Sequence, residues 1–76
     1  MHDDKERTSS LDKFTAPLGG QEIELLQVDY AAGGVPLLRV RIRERKRFTI
    51  FEIDAATAAR WGGAMQQWSR SQLPER

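Results

Sequence analysis

Leu37, Leu38, Arg39, Val40, Arg41, Ile42 and Arg43 form a run in which, from Leu38 on, apolar and basic side chains alternate without a break. Only an extended strand sorts such a run cleanly, because its successive side chains point to opposite faces. A helix would spread both types around its axis. Residues 37–43 are therefore a strand with one apolar and one arginine face, and a strand needs neighbours. Residues 48–53, rich in aromatic and β-branched side chains, supply one. Residues 21–30 supply another, with Ile23 and Leu25 in one phase and Leu26, Val28 and Tyr30 in the other. That change of phase predicts a β-bulge at Leu25-Leu26. Residues 11–16, anchored by Phe14, make the first strand. Pro17-Leu18-Gly19-Gly20 and Ala31-Ala32-Gly33-Gly34 are turn signals, and Pro36 precedes the third strand, where a missing N–H is tolerated.

The last hairpin decides which residues share a face. A three-residue loop at 44–46 pairs Arg43 with Arg47 and Ile42 with Phe48. It gathers Leu38, Val40, Ile42, Phe48 and Ile50 on one side and leaves Thr49, Phe51 and Ile53 beside the arginines. We expect this loop, because a two-residue loop at 44 and 45 puts Arg47 among the core residues. The lack of a glycine counts against it, since such loops favour one in the left-handed region.

Asp54 is a strong N-cap, and Ala55-Ala56-Thr57-Ala58-Ala59 propagates a helix well. Ala58, Trp61, Met65 and Trp68 then recur at the spacing of one buried stripe. The two tryptophans read as core packing or, alternatively, as anchors of a dimer interface. Gly62-Gly63 costs helix propensity, roughly 1 kcal/mol per glycine against alanine. Ala59 and Gly63, four residues apart, are a smooth patch suited to close approach of a strand or partner helix; a mild kink without a role is the plainer reading. The expected fold class is α+β, a four-stranded antiparallel meander followed by one C-terminal helix packed on one face. It occupies residues 11–73, between a disordered tail at 1–10, too polar to order itself, and a short tail at 74–76.

At 76 residues the chain is one domain, and a domain this small is marginal by itself. It has no cysteine, and its one histidine, His2, lies in the polar tail, so disulfides and thiolate metal sites are excluded. Oligomerisation is the remaining stabilising device, which makes a homodimer the expectation. The charged N-terminus carries no signal-peptide pattern and no run suits a membrane span, so a cytoplasmic protein is expected.

Catalysis finds little to work with. Nucleophilic mechanisms need a serine, cysteine or lysine beside a base, and Ser9, Ser10, Ser69 and Ser71 all fall near the ends. Glu22 and Glu24 alternate with Ile23 and Leu25, the pattern of a solvated strand face. Neither glycine pair opens a helix, so neither cradles phosphate. We expect no enzyme, no metal and no cofactor.

The basic strip is the one feature above background. Residues 39–47 hold six arginines and lysines and one acid, a net +5 on a chain whose total is +1. In one reading Arg39, Arg41, Arg43, Lys46 and Arg47 contact the phosphates of a single-stranded nucleic acid or an acidic partner, and Phe51 stacks on a base. In the other, the arginines cover a solvent face and pair with Glu22 and Glu24 on the next strand. The expected function is a small interaction module that docks on a protein partner or on itself, with Ala59, Gly63 and Trp68 at the interface. Single-strand binding through 39–47 is the alternative.

Two resemblances follow from these residues. The runs Phe14-Thr15-Ala16-Pro17-Leu18-Gly19, Leu38-Arg39-Val40-Arg41-Ile42-Arg43-Glu44, Arg47-Phe48-Thr49-Ile50-Phe51-Glu52-Ile53-Asp54 and Thr57-Ala58-Ala59-Arg60-Trp61-Gly62 resemble a family of short bacterial proteins of unknown function. That resemblance implies a shared domain and no activity. In element order alone, four antiparallel strands and a helix resemble the single-strand-binding fold of Whirly proteins and of the eukaryotic transcriptional positive cofactor. That likeness implies dimerisation through helices and binding on sheets.

Overall fold

A computed structural model describes residues 6–74. Four strands, β1 (Glu6–Thr15), β2 (Glu22–Tyr30), β3 (Leu37–Glu44) and β4 (Arg47–Ile53), precede one helix, α1 (Ala55–Gln72). The strands form a single antiparallel sheet in the order β1-β2-β3-β4, the expected meander.

Four details correct the sequence reading. β1 begins at Glu6, so residues 6–10 belong to the sheet and not to a tail; residues 1–5, with His2, lie outside the described residues. Glu6 to Ser10 pair with Tyr30 to Leu26, and Arg39 on β3 holds Glu6 by a salt bridge of 2.9 Å. The bulge lies on β1 and not at Leu25-Leu26. Ser10 opposes Leu26 and Asp12 opposes Leu25, which leaves Leu11 as the extra residue, while β2 runs in unbroken register with β3.

The last loop is two residues, Arg45 and Lys46, because Glu44 pairs with Arg47. Arg45 takes the left-handed conformation (φ 57°) that a glycine usually provides at the first position of such a turn. The fourth correction follows from the third. Arg43 opposes Phe48, Arg41 opposes Ile50, Ile42 opposes Thr49 and Val40 opposes Phe51. Phe48 and Ile50 therefore share the arginine face. Thr49, Phe51 and Ile53 join Ile23, Leu25, Leu38, Val40 and Ile42 on the apolar face.

The turn between β1 and β2 closes with Ala16 N–H to Gln21 O (2.8 Å) and Gly20 N–H to Ala16 O (3.1 Å). Gly19 and Gly20 take φ of 90° and 71°, the left-handed region that favours glycine, and a Cβ on Gly19 would also displace the flexible Gln21 amide. α1 starts at Asp54 as expected. No carboxylate–amide cap bond closes, yet the Thr57 hydroxyl, followed by the first-turn N–H groups, holds the Asp54 carboxyl below its ordinary range.

The helix approaches the sheet on the apolar face, at β3, and Trp61 meets Phe51 with ring centroids 5.9 Å apart. It then diverges. Along the expected core stripe the exposure rises from 44% at Trp61 to 52% at Met65 and 67% at Trp68. No helical residue is buried, so the stripe does not form a core within this chain. Among the described residues only Val28 and Val40 are buried. The radius of gyration is 15.1 Å, where a compact chain of this length has roughly 11 Å.

Candidate interaction surfaces

The arginine face is built by register. Glu24 lies directly opposite Arg41, and Glu22 opposite Arg43, so alternate residues of β2 and β3 meet as charge pairs. Arg43 Nη2 reaches Glu22 Oε2 at 3.0 Å, and Arg41 Nη1 reaches Glu24 Oε1 at 3.4 Å. The Arg41 guanidinium also lies over the Phe48 ring, 5.0 Å from its centroid. Ser10 Oγ donates to the other Glu24 oxygen at 2.8 Å.

Arg39 anchors a tighter network. Its Nε and Nη2 both donate to Glu52 Oε2, at 2.9 and 2.6 Å. The Tyr30 hydroxyl donates to Glu52 Oε1 at 2.6 Å, and Arg39 Nη2 also donates to Glu6 at 2.9 Å. Four strands are joined by these four side chains. The Tyr30 hydroxyl, then Arg39, holds the Glu52 carboxyl below its ordinary range. The bond to the Glu52 carboxylate, aided by burial, raises the Tyr30 phenol.

Of the residues expected to form a nucleic-acid or acidic-partner site, Arg39, Arg41 and Arg43 are together on one face but carry carboxylate partners. Phe51 is not with them; it lies on the opposite face against Trp61. Arg47 also falls on the apolar side, opposite Glu44. Lys46 is in the hairpin loop, where Arg45, Lys46 and Arg47 line an open cleft with Gly19, Gly20 and Glu44. Sequence reasoning missed Phe48, Tyr30, Glu52 and Glu6. A two-residue loop at 45 and 46 would have found Phe48, and the same register brings Glu52 opposite Arg39.

The apolar surface comprises the opposite face of the sheet and the helix stripe. Phe14 (48% exposed), Trp61, Met65 and Trp68 stand open around the half-buried Ile23, Leu25, Leu38, Ile42, Phe51 and Ile53. Where α1 leaves the sheet, Leu11, Val35, Leu38, Ala55 and Ala56 line an apolar cleft with Gln27. Ala59, Gly63 and Trp68 do not share one helix face. At 100° per residue Gly63 falls with Gln66 and Arg70, away from the Trp61–Met65–Trp68 stripe. A Cβ on Gly62 or Gly63 would meet nothing within 4 Å, so neither glycine serves a close approach within this chain.

Among the described residues no three His, Cys, Asp or Glu side chains gather to hold a metal, and no helix is long and apolar enough to cross a membrane. A family model, "Family of unknown function (DUF6967)", matches residues 5–71. No curated protein and no solved structure matches the chain, and nothing supports the likeness to Whirly proteins. The chain belongs to the DUF6967 family.

Proposed function

We propose that this DUF6967 member is a self-associating interaction module whose apolar sheet face and helix stripe are covered by a second copy of the chain. The observation that carries the reading is the size of the core. Two buried residues, Val28 and Val40, do not offset the conformational entropy of ordering some seventy residues, which costs on the order of 1 kcal/mol or more apiece. The missing apolar burial has to come from outside the single chain. A stable interface covers about 800 Å² on each partner. Three half-exposed rings (Phe14, Trp61 and Trp68) present on the order of 100 Å² each. Leu11, Met65 and Leu73, all more than half exposed, extend the same kind of surface.

Single-strand binding draws less support. Its three central arginines are engaged by carboxylates, and its stacking residue is on the other face. Phosphate contacts would have to replace these ion pairs.

Light scattering on eluting protein and thermal melts over a hundredfold concentration range test the self-association. The expected outcome is a dimer mass and a melting temperature that rises with concentration. Trp68→Asp should yield a monomer of much lower stability. A wild-type monomer that unfolds cooperatively at one temperature, whatever its concentration, would end the proposal.

A further inference from the structure

The two edges of the sheet are not alike. β1 is guarded, with its bulge at Leu11 and a run of short or charged side chains, Thr8, Ser9, Ser10, Asp12 and Lys13. Bulges and charges are the ordinary means by which edge strands refuse new partners. β4 has neither. Its seven residues, Arg47–Ile53, run in unbroken register with β3 and, among the described residues, have no strand on the other side. The helix lies on the apolar face, where it approaches β3 and meets β4 through Trp61 and Phe51. Phe48 and Ile50, 50% and 54% exposed, are large apolar side chains on the face that carries the ion pairs, and both belong to β4.

We propose that β4 pairs antiparallel with β4 of a second copy, joining two sheets into one of eight strands. This deepens the self-association proposed above and rests on it. The charge along β4 specifies the direction. Arg45, Lys46 and Arg47 mark its start, and Glu52 and Asp54 mark its end. Antiparallel pairing sets the basic end of one strand beside the acidic end of the other, whereas parallel pairing opposes like charges. Partners across an antiparallel pair point to the same side, so the two apolar faces become continuous. The two helices then lie in one layer on that side, where each stripe packs on the joined apolar face and against the other helix, and so the second copy supplies the covering. On the other side Phe48 and Ile50 of both copies meet at the junction, which removes the apolar exposure of the charged face.

The absence of cysteine makes the test clean. Thr49→Cys and Ile50→Cys are made singly, because a two-fold axis through the centre of β4 falls on one of these positions. Facing residues there have Cα atoms about 4.5–5.5 Å apart, within disulfide reach. Ser10→Cys on β1 is the control. Each variant is checked for wild-type circular dichroism and mass, then oxidised mildly in dilute solution. The expected result is a disulfide-linked dimer from position 49 or 50 and none from position 10. Ile50→Lys should raise the dissociation constant by about tenfold or more. A wild-type dimer in which neither 49 nor 50 cross-links, and whose β4 amides exchange as fast as in dilute monomer, overturns the edge pairing while leaving self-association intact. A wild-type chain that is monomeric throughout overturns both.

Discussion

The two faces of this sheet solve opposite problems. On the arginine face every long cation of β3 finds a carboxylate within the same chain, and Tyr30, Arg39, Glu52 and Glu6 tie all four strands together. The apolar face gathers Ile23, Leu25, Val40, Ile42 and Phe51 under a helix that approaches β3, meets Phe51 through Trp61 and then departs. Charge pairing is completed locally because cross-strand register brings partners together two at a time. Apolar burial needs area, and one 18-residue helix that diverges does not provide it. The polar face specifies the fold of one chain, and the apolar face leaves burial that one chain does not complete.

The strongest way to break this contrast is a charge at the centre of the apolar face. Val40→Asp puts a carboxylate where the side chain is 4% exposed. An unpartnered buried charge costs about 3–5 kcal/mol, enough to unfold a domain this small. Urea melts would read it, and a wild-type midpoint would show that face to be solvated.

Acid sharpens the other side. The Glu52 carboxyl is held below its ordinary value of 4.5 by Tyr30 and Arg39. Its folded form thus releases its proton more readily than the unfolded chain does. The stabilisation is complete above the unfolded value and is lost as pH falls through the folded one. Stability should drop below about pH 4.5, and Glu52→Gln should flatten that slope while lowering stability at neutral pH. Chemical denaturation at a series of pH values tests this, and an unaltered slope in the variant would remove Glu52 from the account.

The smallest effect belongs to the exposed pairs. Arg43 and Glu22 are 45% and 41% exposed, so solvent screens their attraction. Arg43→Gln should change stability by under about 1 kcal/mol and weaken further with salt. A larger loss would mean that the arginine face is more than a solvated ladder.

How much of this was legible depended on how local the cause was. The alternation from Leu38 to Arg43, the order of the strands and the cap at Asp54 are short-range patterns, and the structure follows them. The first half of β1 was not legible. Glu6 to Ser10 has the composition of a tail, and one of its tethers, Arg39, lies 33 residues along the chain. The face of Phe48 and Phe51 was misread for a different reason. The hairpin places Arg45 in the left-handed region that sequence reasoning reserves for glycine, and the resulting shift of one register position exchanges the two sides of β4. The candidate site moved with it, since the aromatic ring beside the arginines is Phe48.

The bulge on β1 has a consequence at the level of the gene. A strand counts in twos, and the bulge absorbs one codon without upsetting the count, because Ser10 and Asp12, on either side of Leu11, stand opposite the neighbours Leu26 and Leu25. Phe14 therefore keeps the side of Ile23 while Glu6 keeps the side of Tyr30 and Arg39. Deleting the Leu11 codon would leave every one of these pairings in place and straighten the strand. The tether would survive the loss, and only the guard on this edge would disappear.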